Sequence, residues 1–227
     1  MSACAFFDVD HTLINGSTGT ELAKEGIKRG IIPLGLFFRI PLLYAQYRLG
    51  GFNPKDLESI LYHIEGVETR EMREMGRNVF EKVLVKRLFR DAVDALEYER
   101  SRGRTPVLAT SSLEYVVEPI AEFLEVETII STEVETDNGV ITGKFKDDPA
   151  FGKGKHRKVF RYLEENNFRP EECSFYSDSY YDLPLLERVG EPVVVNPDRR
   201  LRRTARDRKW RITRFSRTLA EEHSLET

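Results

Sequence analysis

The sequence predicts an α/β fold with a mostly parallel sheet, helices on both faces, and an all-helical segment inserted after the first strand. Short apolar runs alternate with amphipathic stretches through most of the chain, which is the pattern of parallel strands joined by crossover helices. Between residues 17 and 89 this alternation stops, and helical stretches follow one another without a strand. We therefore expect a core built from residues 1–16 and 90–227, with residues 17–89 as the insertion.

Strands and helices are placed by hydrophobic periodicity and by the residues that end each element. Short apolar runs predict strands at 3–9, 105–112, 127–136, 140–145, 173–179 and 192–197. Helical periodicity predicts helices at 20–30, 34–49, 56–64, 69–89, 91–103, 113–124, 155–167 and 182–190. Gly103 ends one of these helices, and Asp137, Asn138 and Gly139 predict a tight turn between two strands.

The composition is that of a water-soluble globular protein. Of the 227 residues, 40% are hydrophobic and 32% are charged, and the net charge is −3. A protein whose main ligand is nucleic acid is expected to be strongly basic, so this balance argues against that class. Cys4 and Cys173 are too few and too far apart for a disulfide framework or a zinc site, and we expect both to be core thiols.

Localisation is predicted from two segments. The N-terminus shows no charged region followed by a long apolar stretch and a cleavage site, so we expect a cytoplasmic protein. The apolar stretch 31–49 contains Arg39, Arg48 and two prolines, which argues against a membrane-spanning helix. We expect a buried or interfacial helix there, which contributes to a local core or, alternatively, to a pocket for a lipid-like substrate.

Polar residues follow three of the predicted strands. The run FFDVDHTL ends the first strand with Asp8 and Asp10, whose side chains point to the same side of an extended chain and repel each other unless a cation lies between them. In open α/β sheets the carboxyl ends of the strands form the ligand site. We therefore expect three polar groups to converge at one edge: Asp8 with Asp10, Thr110 to Ser112, and Ser177 to Ser179 with Asp182.

This set of residues suits a phosphate group and a divalent cation. Mg²⁺ prefers one or two carboxylates together with phosphate oxygens and water, and Asp8, Asp178 and the backbone carbonyl of Asp10 can supply ligands. Thr110 and Ser111 can bind phosphate oxygens, and Lys155 can add positive charge.

Other interpretations of the same residues are weaker. A calcium loop starting at Asp8 needs Gly at its sixth position and Glu at its twelfth, where the chain has Leu13 and Gly19. A nucleotide P-loop around Lys155 needs Gly and Ser or Thr at positions that hold Pro149 and His156. Taken singly, the aspartates are more commonly surface or capping residues, and Lys155 is more commonly a solvated side chain. Their joint order and their positions at strand ends favour the phosphate site.

The segments DVDHT, the strand end at Thr110, Lys155 and SDSYYD resemble, in this order, the four motifs of the haloacid dehalogenase superfamily. The position of the helical insertion and the segment from Tyr176 to Arg203 are similar to its phosphoserine phosphatase-like branch, subfamily IB. The resemblance implies a Rossmann-like core with a C1-type helical cap. It also implies a Mg²⁺-dependent phosphatase that acts on a small phosphorylated metabolite through an aspartyl-phosphate intermediate.

The resemblance assigns expected roles to individual residues. Asp8 is the expected nucleophile, Asp10 the acid and base, and Lys155 the residue that balances charge. Thr110, Ser111 and Thr12 are the expected substrate-binding and supporting residues, and His11 receives no role in proton transfer. The expected metal ligands are Asp8, Asp10, Asp178 and Asp182.

Two departures from the family pattern concern the substrate. First, Ser111 and Ser112 replace two glycines that usually follow the Ser or Thr of the second motif. Second, Ser17 occupies the position of the acidic cap residue that, in phosphoserine phosphatases, contacts the substrate amino group. Glu21 lies one turn further on and could substitute for it. Phosphoserine is therefore not the predicted substrate by itself. A phosphate-binding sensor with little turnover, and a phosphotransferase that uses the same intermediate, stay open as alternatives.

The basic segment 199–217 is predicted to be a surface helix followed by an edge strand near Trp210 to Ile212. Leu201 and Ala205 are expected to face the core and the arginines to face solvent. The alternative is a binding surface for nucleic acid or an anionic membrane. The expected partner is a small phosphorylated substrate, with no nucleic acid, and the sequence does not predict an oligomeric state.

Overall fold

Six parallel strands form the central sheet in the order β3-β2-β1-β6-β7-β8, and β4 and β5 form a separate antiparallel hairpin. This computed structural model describes residues 3–37 and 61–223. The strands are β1 (Ala3–Phe7), β2 (Arg104–Leu113), β3 (Thr128–Thr132), β4 (Val134–Asp137), β5 (Val140–Phe145), β6 (Ser174–Ser177), β7 (Glu191–Val195) and β8 (Arg211–Thr213).

Helices cover both faces of the sheet. In the described residues they are α1 (Thr18–Lys28), α2 (Leu34–Phe37), α3 (Thr69–Val79), α4 (Val85–Arg87), α5 (Arg90–Ser101), α6 (Glu114–Phe123), α7 (Lys153–Glu165), α8 (Leu183–Leu186), α9 (Arg199–Asp207) and α10 (Leu219–His223). A π-helical turn, Phe80–Leu84, joins α3 to α4. Short 3-10 turns occur at Tyr62–Ile64, Pro170–Glu172 and Tyr180–Asp182.

Strand β1 lies in the middle of the sheet and is buried on both faces. Phe7 stacks on Tyr176 with ring centroids 4.4 Å apart, and Phe6 stacks on Phe175 with centroids 6.1 Å apart. Consecutive residues of a strand point to opposite faces, so these two pairs belong to different apolar clusters. An apolar run without polar alternation is what a parallel strand covered on both sides requires.

The helical insertion leaves and rejoins the core at adjacent points. The Phe89 N–H donates to the Leu13 carbonyl at 2.9 Å, and the Asn15 N–H donates to the Arg87 carbonyl at 2.8 Å. The two connecting segments therefore run side by side, close to the end of β1. This arrangement agrees with an insertion after the first strand, and the boundaries 17 and 89 of a cap domain stay a prediction.

The predicted fold class is confirmed, and some elements differ from their predictions. The helix predicted at 69–89 contains the π-helical turn and ends at Arg87, and the helix predicted at 182–190 ends at Leu186. The strand predicted at 127–136 is two strands, because β3 joins the central sheet whereas β4 pairs only with β5. The predicted turn between β4 and β5 is present, with positive φ at Asn138 and Gly139. Most of the helices predicted at 34–49 and 56–64 lies outside the described residues.

Several smaller predictions are also confirmed. Cys4 and Cys173 are both buried, with the Cys4 N–H 3.4 Å from Cys173 Sγ. In α9, Leu201 and Ala205 are buried, and β8 lies at the edge of the sheet. The prediction for the stretch 31–49 falls mostly outside the described residues. Among the helices that can be described, none is both long and apolar enough to cross a membrane.

Candidate active site

The strand register brings the three predicted polar groups to one edge of the sheet. Phe7 pairs with Leu108 of β2 on one side and with Tyr176 of β6 on the other. Asp8 is the next residue of the first strand, so it lies beside the carboxyl ends of both neighbours. Thr110 and Asp178 each follow their paired residue by two positions. Strands β2 and β6 lie on opposite sides of β1, so the order in which strands are added to the sheet reverses at this point. Such a topological switch point is where open α/β sheets bind ligands.

Lys155 joins two of the predicted carboxylates in the interior. Its Nζ atom lies 3.0 Å from Asp8 Oδ1 and 2.9 Å from Asp182 Oδ2. The exposed fraction of all three side chains is 4% or less. Burying charged groups this deeply costs free energy unless they are paired and hydrogen-bonded. Lys155 is therefore not a solvated surface lysine, and the arrangement indicates a functional site.

Lys155 reaches the sheet edge because helix α7 begins directly beside it. The helix starts at Lys153, after Gly152, whose φ is +50°. A Cβ on Gly154 would lie 2.0 Å from the Pro149 carbonyl oxygen, so only glycine permits this close approach of the chain. Lys155 is the next residue, and its side chain extends from the first turn of the helix toward Asp8.

Ser177 fixes the second carboxylate of this pair. Its hydroxyl donates to Asp182 Oδ2 at 2.7 Å, and its oxygen accepts the Ser179 N–H at 3.1 Å. Asp182 Oδ2 therefore accepts hydrogen bonds from both Lys155 Nζ and the Ser177 hydroxyl. This places the Asp182 side chain against Lys155.

The buried site contains more negative than positive charge. Burial, together with the charges of Asp182 and Asp10, raises the pKa of Asp8 to about 7 against the opposing effect of Lys155. Burial lowers the pKa of Lys155, but the carboxylates of Asp182 and Asp8 outweigh it and raise that pKa above its usual range. Lys155 thus stays charged, and one lysine does not balance the surrounding aspartates.

The Asp10 carboxylate is held by the start of the helical insertion. Its Oδ1 atom accepts the Thr18 N–H at 2.9 Å and the Thr18 hydroxyl at 2.7 Å. The same Thr18 oxygen contacts the Ser112 hydroxyl, which is therefore the donor in that pair. A chain of hydroxyls thus connects β2, helix α1 and the second aspartate of the DVDHT segment.

The predicted phosphate-binding residues lie at the end of β2 and in the loop after β1. Thr110 is fully buried, and its hydroxyl oxygen accepts the Ser112 N–H at 3.2 Å. The Ser111 carbonyl accepts the Thr132 hydroxyl at 2.8 Å, which fixes that strand end against β3. The Thr12 hydroxyl is buried and has no hydrogen-bond partner among the residues that the structure describes, which is unusual for a polar group in a protein interior.

The donor atoms fit a hard divalent cation held by few protein ligands. In the described part of the chain, no three His, Cys, Asp or Glu side chains gather as a metal centre. The Asp10 side chain contacts Thr18, and the Asp182 side chain contacts Lys155. Asp8 also contacts Lys155, so these contacts do not decide among the expected ligands Asp8, Asp10, Asp178 and Asp182. Mg²⁺ typically binds one or two carboxylates while phosphate oxygens and water complete its coordination. The excess negative charge at Asp8 also favours a cation.

The first turn of α1 carries the residues nearest to the predicted substrate-recognition position. Ser17 is the N-cap of α1, and its side chain accepts the Thr20 N–H at 3.3 Å. Glu21 is largely buried, and its Oε1 atom pairs with Lys24 at 2.7 Å and with Arg87 at 3.2 Å. Glu21 is therefore already neutralised by two cations of the chain.

The structure adds contacts that the sequence reasoning did not assign. Ser177 and Ser112 were expected at this edge of the sheet, but neither was given a role. Thr18 and Arg87 were not predicted, because each acts through a partner that is distant in the sequence. Ser112 and Thr18, for example, are 94 residues apart.

Comparison with known proteins identifies the family. The chain matches the haloacid dehalogenase-like hydrolase family over residues 5–187. It is 30% identical over 225 residues to the phosphoserine phosphatase SerB1 of Mycobacterium tuberculosis, covering 95% of this chain and 71% of that protein. It is 27% identical over 224 residues to the histidinol-phosphatase of Neisseria meningitidis serogroup C, covering 95% of this chain and all of that protein.

A solved structure of a protein of unknown function from Bordetella pertussis superposes with a TM-score of 0.84 at 28% identity, covering 93% of this chain and 98% of that one. The family match and the relatives named as phosphatases confirm the prediction of a phosphatase-like enzyme, and the superposed structure agrees with the predicted Rossmann-like core. The chain belongs to the haloacid dehalogenase-like hydrolase family, as its four motifs predicted.

Proposed function

We propose that the chain is a Mg²⁺-dependent phosphomonoester hydrolase that transfers the phosphoryl group of a small phosphorylated metabolite first to Asp8 and then to water. One observation carries the proposal: a fully buried lysine, Lys155, bridges Asp8 and Asp182 at the carboxyl edge of the sheet. Such a lysine offsets the repulsion between an attacking carboxylate and a phosphate dianion, which costs about 1 kcal/mol per charge pair in water and more in a buried site.

The proposed reaction has two steps. In the first, a carboxylate oxygen of Asp8 attacks phosphorus, the bond from phosphorus to the ester oxygen breaks, and Asp10 donates a proton to that leaving oxygen. In the second, Asp10 takes a proton from a water molecule whose oxygen attacks phosphorus. The bond to Asp8 then breaks, and inorganic phosphate leaves. Thr18 holds Asp10 for both transfers through its two hydrogen bonds.

The remaining residues bind and orient the phosphoryl group. The Thr110 hydroxyl and the Ser111 backbone N–H are the proposed donors to its oxygens. Asp8, Asp178 and the Asp10 backbone carbonyl would hold Mg²⁺, which supplies positive charge to the phosphate oxygens when it is bound. Asp182 and Ser177 keep Lys155 directed at Asp8.

The surroundings of α1 support a broader substrate class than phosphoserine. Recognition of a substrate ammonium group requires an accessible carboxylate, but Ser17 occupies the predicted position and Glu21 is paired with Lys24 and Arg87. Relatives of this chain carry the names phosphoserine phosphatase and histidinol-phosphatase. We therefore propose a small phosphomonoester in general, and we include both of these esters among the compounds to be tested.

The test is phosphate release from p-nitrophenyl phosphate, phosphoserine, histidinol phosphate and a set of sugar and glycerol phosphates, with Mg²⁺ and with a chelator. We expect Mg²⁺-dependent release, and a loss of about a thousandfold or more in Asp8→Asn. Asp207→Asn, the same exchange at an exposed site, is the matched control and should behave like the unchanged protein.

Two results would overturn the proposal. A folded protein that binds phosphate esters but releases no phosphate from any of them would indicate a binding or sensor role. Transfer of the phosphoryl group to an added alcohol in preference to water would indicate a phosphotransferase. In both cases the Asp8→Asn exchange separates a reaction at this site from a contaminating phosphatase.

A further inference from the structure

Positive charge is concentrated near the C-terminal end of the described chain. Residues 199–217 contain ten arginine or lysine residues and one aspartate, a net charge of +9. The whole chain has a net charge of −3, so the remainder carries −12. Charge asymmetry of this size within one chain indicates an anionic partner for the basic part.

Helix α9 arranges four of these residues on one face. Leu201 and Ala205 are fully buried in an apolar cluster of the core. On the opposite face lie the exposed side chains at positions i, i+3, i+4 and i+7, which are neighbours on a helix. We call this set the α9 arginine face: Arg199, Arg202, Arg203 and Arg206.

The α9 arginine face is not neutralised by the parts of the protein that surround it. Within residues 3–37 and 61–223, no carboxylate lies within ion-pairing distance of any of its four members. Other arginines of the basic segment do have partners: Arg208 pairs with Glu187, and Arg217 lies 2.9 Å from Asp91. Like charges three or four positions apart destabilise a helix, so this face carries a cost that no internal ion pair in the described chain offsets.

We propose that the α9 arginine face binds the anionic surface of a lipid bilayer. Four arginines on one exposed helix face match the clusters of basic residues that hold proteins to anionic headgroups. The adjacent edge strand adds Ile212, an apolar side chain that is 41% exposed and can enter the interfacial layer.

A nucleic-acid partner is less well supported by the surroundings of this face. Single strands bind where bases stack on open aromatic rings. An arginine already occupies one face of each of two aromatic rings near α9: Arg200 lies 4.0 Å above Tyr180, and Arg208 lies 5.1 Å above Trp210. Those two ring faces are not open to a base.

Membrane binding through α9 would also bring the active-site edge close to the bilayer. Asp198 caps α9 by accepting the Arg200 and Leu201 N–H groups at 2.8 and 2.9 Å. Its own N–H donates to the Asp178 carbonyl at 2.8 Å, and its Oδ2 accepts the Tyr180 N–H. The first turn of the helix is therefore attached to the Asp178 loop. The binding proposal does not depend on the proposed catalytic activity.

The test is co-sedimentation of the full chain with vesicles of phosphatidylcholine alone, and with vesicles containing about one-third phosphatidylglycerol, at low and physiological salt. The test variant replaces all four members of the α9 arginine face with glutamine. The control variant makes the same four exchanges at exposed arginines that pair with acids elsewhere: Arg70, Arg73, Arg77 and Arg157. Both variants change the net charge equally.

We expect binding to anionic vesicles only, weakening as salt rises, with a loss of more than about tenfold in the α9 variant and less than about twofold in the control. Hydrolysis of p-nitrophenyl phosphate in solution should not change in the α9 variant. If that variant does not fold, Arg199→Gln with Arg203→Gln replaces it.

Three results would overturn the proposal. The first is that the unchanged protein fails to bind anionic vesicles at low salt. The second is that the control variant loses as much binding as the α9 variant. The third is that the protein binds a single-stranded or duplex RNA more tightly than the vesicles at the same salt concentration.

Discussion

Thr18, the first residue of helix α1, holds the Asp10 carboxylate with both its backbone N–H and its hydroxyl, at 2.9 and 2.7 Å. Asp10 belongs to the loop after β1, whereas Thr18 begins the helical insertion. The proposed proton donor is thus positioned by the segment that is predicted to close over the substrate. Movement of the insertion would therefore move Asp10.

Thr18→Val removes the hydroxyl but keeps the backbone N–H and the shape of the side chain. We expect kcat to fall by about tenfold to a hundredfold, since a hydrogen bond to a charged group contributes about 1.5–3 kcal/mol. KM should change little, because the exchange affects the proton transfer rather than substrate binding. Thr20→Val in the same helix is the control, and an equal loss in both variants would contradict the assignment.

Asp182→Asn tests whether the second carboxylate acts by positioning Lys155. Asparagine keeps the size of the side chain but weakens its contact with the lysine, which is 2.9 Å in the structure. We expect kcat to fall by about tenfold to a hundredfold, because a misdirected lysine no longer offsets the charge at Asp8. Mg²⁺ affinity, measured by calorimetry, should fall much less than in Asp178→Asn. A loss of Mg²⁺ affinity as large as in Asp178→Asn would instead make Asp182 a metal ligand.

Mg²⁺ should raise the melting temperature of the protein. A ligand that binds only the folded state stabilises it in proportion to the logarithm of its concentration, and the buried carboxylates at Asp8 and Asp178 form the proposed site. Differential scanning fluorimetry should show a rise of several degrees that a chelator reverses and that Asp178→Asn abolishes. No rise at any Mg²⁺ concentration would argue against the site.

The central residues of the candidate site were predictable from sequence, because their positions follow from where the strands end. Residues that follow buried strands fall at one edge of a parallel sheet whatever the details of packing, and this places Asp8, Thr110 and Asp178 together. Lys155 was also predictable, because it stands at the start of a predicted helix and lies between the second and the last of the four motifs. The contact between Thr18 and Ser112 was not, because it depends on how α1 docks against β2.

The fold shows the same division between local and tertiary information. The turn at Asn138 and Gly139 was predicted because the local sequence requires positive φ there. The division of residues 127–136 between two sheets was not, since both halves have strand-forming residues and only tertiary packing decides which neighbour each one pairs with. The π-helical turn Phe80–Leu84 has no recognisable local signal either.

Gly76→Ala tests the packing of the insertion on the core. Helix α3 crosses α6 so closely at Gly76 that a Cβ there would lie 1.8 Å from the Tyr115 carbonyl oxygen. We expect a loss of about 1–3 kcal/mol in the free energy of unfolding, measured in urea, because the two helices must separate. The control is Gly19→Ala in α1, where the nearest atom outside the local backbone is 3.9 Å away. That exchange should be neutral or stabilising, and equal losses would exclude the close approach as the cause.

At the amino ends of the strands, away from the candidate site, charged residues connect the start of β2 with the start of β7. The Nη1 and Nη2 atoms of Arg102 each lie 2.6 Å from a carboxylate oxygen of Glu191, and Arg104 Nη2 lies 2.7 Å from Glu191 Oε1. Arg104 also contacts the buried Glu99, which accepts the Tyr176 hydroxyl at 2.6 Å. The hydrogen bonds from Arg102 and Arg104 lower the pKa of Glu191 to about 2.

Glu191→Gln should therefore destabilise the protein in a pH-dependent way. A carboxyl whose pKa is lower in the folded state contributes stability above its unfolded value of about 4.5, and this contribution is lost as pH falls toward 2. The Glu191 side chain is 40% exposed, so we expect a difference below about 1 kcal/mol, or a few degrees in melting temperature, at neutral pH. The difference from the unchanged protein should narrow below pH 4.5, whereas Glu127→Gln, at an exposed site, should show none. A gap that stays constant or widens in acid would show that the ion pair is not its source.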